Sequence, residues 1–238
     1  MVKKIETREV HLRYYGHSSF GLTTPNGIEI IIDPYHNTFF HRWFREPFPS
    51  VRGNIVIVTH DHFDHNGVTE IQGNPQIIRS EGVYEEEFYT VRMLKGRHAR
   101  GLRYGHFRNL IAIVDIHGLR FVHWGDNRMM SSKELMDKFM YVDVLMVPVD
   151  DNDHLLDFSE VDSLITGIQP RVVIPMHYRD EEIHSEKCPL GGIDKWLKGR
   201  KYVRRINSEG AKLNQGKLTL RTKVWVFDRY QGAENERT

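Results

Sequence analysis

Residues 59–67 have the sequence THDHFDHNG, which is rich in residues that bind metal ions. They follow residues 55–58, IVIV, a continuously apolar and β-branched run that predicts a strand covered on both faces. Three imidazoles and one carboxylate therefore collect at the end of a buried strand: His60, His62, Asp64 and His65. In extended backbone, residues two apart point to the same side, so His60 and His62 can share one metal ion. Asp64 and His65, beyond the turn, can serve a second ion.

Four residues cannot complete two metal sites, because each catalytic zinc generally takes three protein ligands and keeps one position for solvent. The chain has 14 histidines and a single cysteine, so the missing ligands must offer nitrogen or oxygen. Two further candidates also end apolar runs, namely Asp126 in FVHWGDN and His177 in VVIPMHY. The sequence therefore predicts a metal centre built from the ends of several strands.

Around this motif the pattern indicates β structure first and mixed α/β structure later. Alternating apolar residues predict a meander at residues 10–15, 19–23 and 28–32, with a turn at Asn26-Gly27. Further strands are predicted at 76–78, 89–93, 110–116, 119–123, 144–147, 172–174 and 224–227, with a hairpin turn at His117-Gly118. Helices are predicted from Ser132, from a capping box of Asp157 and Glu160 towards Gly167, and at 193–198. With no repeat or linker, we expect one domain at 1–230 and a disordered tail at 231–238.

The composition excludes several classes of protein. Among 238 residues, 39% are hydrophobic and 27% are charged, which excludes a disordered chain and a coiled-coil rod. Lys and Arg number 33 against 32 Asp and Glu, so no strong overall field attracts nucleic acid. The apolar runs are too short for a membrane span. A lone Cys188 and a charged first segment without an apolar run favour the cytoplasm.

The ordered motifs resemble those of the metallo-β-lactamase superfamily, and within it small cytoplasmic hydrolases related to ascorbate-6-phosphate lactonase. The motifs are YYGHSSF at 14–20, IIIDP at 30–34, THDHFDH at 59–65, HWGDN at 123–127, VPV at 147–149 and IPMHY at 174–178. This resemblance implies an α/β fold, a four-layer αββα sandwich in which helices flank two mixed β-sheets. It also implies that His60, His62 and His98 hold one metal, that Asp64, His65 and His177 hold the other, and that Asp126 bridges them. His17 and Asp33 would lie close behind.

The third histidine of the first group has two candidates, His98 and His106. In the family this histidine precedes a short loop that leads to an Asn opening a hairpin, and Asn109 takes that place when counted from His98. We therefore assign His98. His17 and Asp33 either orient ligands or satisfy strand ends, and His123 is expected to be a packed strand residue.

The chain departs from the family pattern in three segments that bear on the substrate. Residues 150–154, DDNDH, replace a glycine pair. Such a run could adjust the choice of substrate or bind a third ion, but it is more often a solvated acidic loop. Asn127 stands where many relatives have threonine. Between residues 89 and 114 there are basic residues and no acid: Arg92, Lys95, Arg97, Arg100, Arg103 and Arg108. Arg97 and Arg100, with His17, are the candidate substrate contacts, since a guanidinium can bind phosphate through two hydrogen bonds. The aromatic residues 35–48 suggest a lid or a subunit interface.

These features predict a hydrolase that uses a hydroxide bridging two divalent cations, with zinc as the default and manganese or iron as alternatives. The expected substrate is a small anion, a phosphorylated lactone or a phosphodiester. A di-iron reductase is disfavoured because it would carry glutamate in place of His62, and a non-catalytic module because no ligand is missing. Near-neutral charge disfavours a tRNA-processing nuclease, and the lack of a leader disfavours a secreted antibiotic-degrading enzyme. Association of identical chains stays open.

Overall fold

Two mixed β-sheets form the body of the protein. The structure is a computed structural model that describes residues 8–36, 42–98, 109–130, 136–151 and 155–232. The smaller sheet contains β1 (Val10–Gly16), β2 (Ser19–Thr23), β3 (Glu29–Ile32), β4 (Ile55–Ile57), β5 (Gln76–Ile78) and β13 (Ala211–Leu213), in the order β13-β1-β2-β3-β4-β5. The larger sheet contains β6 (Gly82–Glu85), β7 (Tyr89–Lys95), β8 (Leu110–Ile116), β9 (Leu119–His123), β10 (Val144–Pro148), β11 (Val172–Met176), β12 (Val203–Ile206) and β14 (Lys223–Phe227), in the order β12-β14-β11-β10-β9-β8-β7-β6. The predicted pair of mixed sheets is confirmed.

The strand directions bring many carboxyl ends to one edge of the molecule. In the smaller sheet β3 runs parallel to β4, and the β1–β2–β3 meander makes β1 run the same way. In the larger sheet β9, β10 and β11 are parallel, and β7 shares their direction because β8 runs antiparallel to both β7 and β9. The hairpin between β8 and β9 turns at His117 and Gly118, both at positive φ, as a tight hairpin turn requires. The segments that follow these parallel strands therefore meet.

The core has two parts, one on each face of the larger sheet. Alternate residues of β8 show this division, since Ala112 and Val114 pack between the sheets whereas Ile111 and Ile113 pack on the outer face. In the described part of the chain, helices α1 (Phe158–Ile168) and α2 (Asp194–Leu197) contribute to the outer cluster. Helix α1 begins with the predicted capping box, in which Asp157 and Glu160 exchange hydrogen bonds.

Several expectations differ from the structure. Strands β6, β12 and β13 were not predicted. The residues of β6 and β12 are mostly exposed and give no apolar alternation, and β13 has only three residues. The helix expected from Ser132 begins outside the described residues, and Asp137–Phe139 forms a 3₁₀ turn. Residues 233–238 also lie outside them, so the domain and tail boundaries stay predictions. No helix in the described ranges is long and apolar enough to span a membrane.

Three aromatic side chains of the segment 35–48 belong to the core. Tyr35, Phe44 and Phe48 are buried, and the rings of Tyr35 and Phe44 stack with centroids 3.9 Å apart. These three side chains are therefore packed inside the chain, whereas a lid or an interface formed by the rest of the segment stays a prediction. Phe39 and Phe40 lie outside the described residues.

Candidate metal centre

Histidines and aspartates from seven strand ends meet at the edge described above. His17 follows β1, Asp33 follows β3, residues 59–67 follow β4, His98 follows β7, Asp126 follows β9, Asp150 follows β10 and His177 follows β11. Strands β4, β10 and β11 are apolar and buried throughout, so polar side chains begin where each of them leaves the sheet. Residues far apart in the sequence thus share one small volume.

The first group consists of three imidazoles and a carboxylate. The ring centroids of His60 and His62 lie 4.5 Å apart, those of His60 and His98 5.1 Å, and those of His62 and His98 4.8 Å. Each of these residues and Asp126 offers a ligand atom within 4.8 Å of the others, so the group could hold a metal ion. The structure brings His98 to the place expected of the third histidine, whereas His106 lies outside the described residues.

The second group contains Asp64, His65, His177 and His17, whose candidate ligand atoms also lie within 4.8 Å of one another. Asp64 Oδ2 is 3.7 Å from His65 Nε2 and 3.8 Å from His177 Nε2. All four residues are buried. This group could hold a second ion.

One carboxylate oxygen lies between the two groups. Asp126 Oδ2 is 3.6 Å from His60 Nε2 in the first group. The same atom is 3.4 Å from His65 Nε2 and 3.2 Å from His177 Nε2 in the second group. Asp126 therefore contacts both groups at once.

Hydrogen bonds behind the histidines turn their other nitrogens towards this oxygen. His65 Nδ1 donates to Asp33 Oδ2 at 2.8 Å, and His177 Nδ1 donates to Asp150 Oδ2 at 3.2 Å. Thr59 Oγ1 donates its proton to Asp33, so it accepts from His60 Nδ1 at 3.0 Å. Metal-binding histidines are typically held in this way through the second ring nitrogen.

The atoms left facing the centre fit a metal ion. Within the described residues, His60 Nε2, His65 Nε2 and Asp126 Oδ1 are buried and make no hydrogen bond. Buried polar atoms are seldom left without a partner, and a cation would satisfy all three. Nitrogen and carboxylate ligands of this kind suit zinc, and also manganese or iron.

The charges of the site are strongly coupled. Burial would raise the pKa of Asp126, but the His177 and His65 rings hold that pKa well below its usual range. Burial would lower the pKa of His65, yet the Asp126 and Asp64 carboxylates raise it to about 10. Burial holds the pKa of His60 well below its usual value. The centre therefore carries ionised carboxylates that a cation or a proton must balance.

Three residues of the site have a left-handed backbone conformation, which residues other than glycine seldom adopt. The φ angles are 58° at His17, 46° at Asp33 and 56° at His177. Such a conformation costs on the order of 1 to 3 kcal/mol per residue and persists where the surrounding structure enforces it. The amide of His177 donates to the carbonyl of His17 at 2.9 Å, which joins two of these turns.

Asp150 corrects the interpretation of residues 150–154 as a solvated acidic loop. Its side chain is fully buried and accepts the hydrogen bond from His177. Gly191 allows this, because its amide donates to the Asp150 carbonyl at 2.7 Å and a Cβ there would lie 2.5 Å from that oxygen. Asp151 is exposed and pairs with Lys195, and residues 152–154 lie outside the described residues. The sequence signal that could have identified Asp150 was its place directly after an apolar strand.

Asn127 is a buried residue that makes hydrogen bonds to the backbone. It is fully buried, and its amide nitrogen donates to the carbonyls of Leu110 and Trp124. Its backbone pairs with that of His98. A Cβ on Gly96 would lie 1.8 Å from Asn127 Oδ1, so only glycine fits there. Asn127 thus fixes the segment that carries His98.

The remaining predicted residues fall into three cases. His123 is a buried strand residue, as expected, and donates from Nε2 to the Ser18 carbonyl at 2.8 Å. Arg92 pairs with Asp115, so it does not add to a positive field at the site. Arg97 is exposed just before His98. Arg100, Arg103 and Arg108 lie outside the described residues, and contact of Arg97 or Arg100 with substrate stays a prediction.

Comparison with known proteins gives concordant results. A family described as "Beta-lactamase superfamily domain" matches residues 11–177. A UPF0173 metal-dependent hydrolase of Symbiobacterium thermophilum is 27% identical over 197 residues, covering 71% of this chain and 84% of that protein.

Solved structures agree on the fold. A protein of the metallo-β-lactamase superfamily from Thermotoga maritima superposes with a TM-score of 0.71 at 23% identity, covering 92% of this chain and 98% of that one. A metallo hydrolase from Ignicoccus hospitalis superposes with a TM-score of 0.54 at 21% identity, covering 75% and 87%. At these identities the likeness concerns the fold alone.

Proposed function

The chain belongs to the metallo-β-lactamase superfamily, and from that premise we propose that it is a hydrolase dependent on two divalent cations. We further propose that its substrate is a small anion bearing a phosphate, either a phosphorylated lactone or a phosphodiester. Its curated relatives include proteins named metal-dependent hydrolases, which supports the class of reaction.

The observation that carries the proposal is the position of Asp126 Oδ2 between two separate groups of ligand atoms. In the proposed centre His60, His62 and His98 would hold one ion, whereas Asp64, His65 and His177 would hold the other. Asp126, which lies against both groups, would be shared between them. A single ion would satisfy only one of the two groups, because His60 Nε2 in the first and His65 Nε2 in the second are both buried and make no hydrogen bond.

When bound, two such ions lower the pKa of a shared water towards neutrality, which supplies a hydroxide nucleophile, and they polarise the electrophilic centre of the substrate. The residues of the chain hold this arrangement rigid. Asp33, Thr59 and Asp150 fix the rings of His65, His60 and His177. Fixed ligands keep the reacting groups oriented, which is where much of the rate enhancement arises.

Three features support an anionic substrate of small size. Divalent cations favour oxyanions, and exposed Arg97 directly precedes His98. The net charge of +1 is too small to suggest a long polyanion, which would need a continuous basic surface. One or two guanidinium groups suffice for a single phosphate.

The test is turnover of matched substrate pairs by zinc-loaded protein. Each pair contains a charged and a neutral member: a phosphorylated lactone with its unphosphorylated form, and a nitrophenyl phosphodiester with a nitrophenyl acetate. We expect turnover of a charged member at a kcat/KM at least ~10-fold above its neutral partner, a barrier difference of about 1.4 kcal/mol. Chelation should abolish turnover, and added zinc should restore it.

Two results would contradict parts of this proposal. Hydrolysis that persists after exhaustive chelation would show that the reaction does not depend on a metal ion. Equal kcat/KM values for the charged and neutral members would show that the protein does not select substrates that bear a phosphate.

A further inference from the structure

His184 is a fully buried histidine that has no part in the two ligand groups. It lies seven residues after His177, in the segment that follows β11. Its backbone is held by the aromatic segment, since it bridges to Phe44 and its carbonyl accepts from Arg45 Nε at 2.9 Å. Its ring faces His17, with centroids 5.2 Å apart.

A continuous line of hydrogen bonds runs from this histidine to the proposed metal centre. The backbone nitrogen of Asp180 is 3.1 Å from His184 Nδ1. His184 Nε2 is 3.0 Å from His17 Nδ1, and His17 Nε2 is 3.1 Å from Asp64 Oδ2. All three side chains are buried.

The backbone end of this line favours one direction for the protons. The Asp180 carbonyl also lies 3.2 Å from His184 Nδ1, but it already accepts the amides of Ile183 at 3.1 Å and His184 at 2.7 Å, so both of its lone pairs are used. The Asp180 amide can therefore donate to His184 Nδ1, and a neutral His184 then carries its proton on Nε2. That proton is donated to His17 Nδ1, which leaves the His17 proton on Nε2.

The carboxylate end requires the same direction. An ionised aspartate accepts hydrogen bonds and donates none, so Asp64 Oδ2 needs a proton on His17 Nε2. The opposite tautomers would place two lone pairs against each other at 3.1 Å. Both ends thus give one tautomer for each ring.

We propose that His184 is a positioning residue that fixes the tautomer of His17 and, through it, the orientation of Asp64. His17 is then a hydrogen-bond donor to a metal ligand and not itself a ligand, although its position within the second group would allow either role. This inference deepens the proposed function and rests on it for the role of Asp64. The effect expected is on the ion held by Asp64.

The first experiment observes the tautomers directly in the full-length chain. Histidine ring nitrogens are labelled with ¹⁵N, and long-range ¹H–¹⁵N correlation spectra are recorded for the metal-free and the zinc-loaded protein. We expect His17 and His184 each to carry the proton on Nε2 in both samples. A His17 with unprotonated Nε2 in the zinc-loaded sample would overturn the inference, because that nitrogen would then be binding metal.

The second experiment uses a pair of substitutions at His184. His184→Leu removes the donor, and His184→Gln keeps an amide N–H near the position of Nε2. Zinc affinity is measured by competition with a chelator, and we expect the weaker of two zinc ions to bind ~10 to 100-fold less tightly in His184→Leu. In His184→Gln the loss should stay within ~3-fold, since the hydrogen bond is retained.

Ile183→Ala is the matched control for loss of stability. Ile183 is buried next to His184 and packs against Gly16, but it contributes no hydrogen-bonding side chain. This control should lower the melting temperature and leave the His17 tautomer and both zinc affinities unchanged. Equal zinc affinities in His184→Leu and the parent would overturn the inference, as would the same loss of affinity in Ile183→Ala.

These readouts separate the inference from the proposed function. A protein that binds two zinc ions, shows the expected tautomers and loses one ion in His184→Leu supports the role of His184 even if it hydrolyses no compound tested. The absence of hydrolysis, by contrast, would contradict the proposed hydrolase.

Discussion

Asp126 Oδ2 contacts His60 on one side and His65 and His177 on the other, so one atom connects the two halves of the centre. Asp126→Asn keeps the shape of the side chain and removes its negative charge. We expect kcat to fall by at least ~1000-fold, equivalent to about 4 kcal/mol, because the bridge between the ions is lost. Circular dichroism should show an unchanged fold, since the surrounding strands supply the core.

Asp115→Asn is the control for Asp126→Asn. Asp115 is also an aspartate of the larger sheet, but it pairs with Arg92 and Arg120 away from the centre. Its substitution should leave kcat within ~3-fold of the parent, since it touches no group involved in turnover. Activity of Asp126→Asn within ~10-fold of the parent would mean that Asp126 does not bridge two ions.

Arg97 and Arg100 are the proposed contacts to the phosphate that does not react. Replacing both with alanine should raise KM for a phosphorylated substrate ~10-fold with a smaller change in kcat, the pattern of lost uniform binding. Steady-state kinetics with the charged and neutral pairs measures this. Arg221→Ala is the control, because Arg221 precedes the amino end of β14, at the opposite edge of the sheet. An unchanged ratio of charged to neutral turnover would show that these arginines do not contact substrate.

At the scale of elements, the segment carrying His98 depends on close packing between Gly96 and Asn127. Gly96→Ala would bring a Cβ to 1.8 Å from Asn127 Oδ1, so the segment must shift. We expect zinc affinity to fall ~10-fold or more, because a displaced His98 weakens the first group. Gly192→Ala is the control, since the nearest atom to its added Cβ is 4.0 Å away. Equal zinc binding by Gly96→Ala and the parent would mean that the packing of Gly96 against Asn127 does not position His98.

Helix α1 is expected to contribute to stability without affecting the chemistry. Asp157→Ala removes the side-chain acceptor for the Glu160 amide and should lower the free energy of unfolding by about 1 kcal/mol. Urea denaturation measures this change. Ser163→Ala, at an exposed position of the same helix, should change the free energy by less than ~0.5 kcal/mol. A similar change in both variants would mean that the cap is not stabilising.

For the whole molecule, metal binding should be coupled to stability. Each ligand group gathers side chains that are far apart in the unfolded chain, so ions bind the folded chain in preference to the unfolded one. Zinc at ~100 times its dissociation constant should stabilise the protein by about 2.7 kcal/mol for each site. We expect elemental analysis to give close to two ions per chain and the melting temperature to rise with free zinc.

Magnesium serves as the control ion for this effect. It prefers six oxygen ligands, whereas the two groups here offer mainly imidazole nitrogen, so it should leave the melting temperature unchanged. No zinc bound after metal-supplemented purification, or a melting temperature insensitive to zinc and to chelator, would contradict the assignment of both ligand groups.

The sequence by itself determined the parts that depend on short-range pattern. The IVIV run predicted a buried strand, and the residues after it predicted a cluster of ligand types, since both follow from the period of extended backbone. The capping box of Asp157 and Glu160 was predicted for the same reason, because its hydrogen bonds span three residues. The family resemblance added the pair of mixed sheets and brought His98 into the first group.

Only the tertiary structure decided which distant residues support these side chains. Asp150 belongs to a run of charged residues of a kind that is usually solvated. In the structure its carbonyl accepts the Gly191 amide, and its buried carboxylate accepts a hydrogen bond from His177. His184 belongs to no sequence motif. Its ring contacts that of His17 because two segments 167 residues apart in the sequence pack together. The edge strands β6 and β12 were missed because exposed strands need no apolar alternation, and β13 was missed because three residues are too few to show a period. Such contacts depend on the summed packing of the whole chain, which no local stretch of sequence encodes.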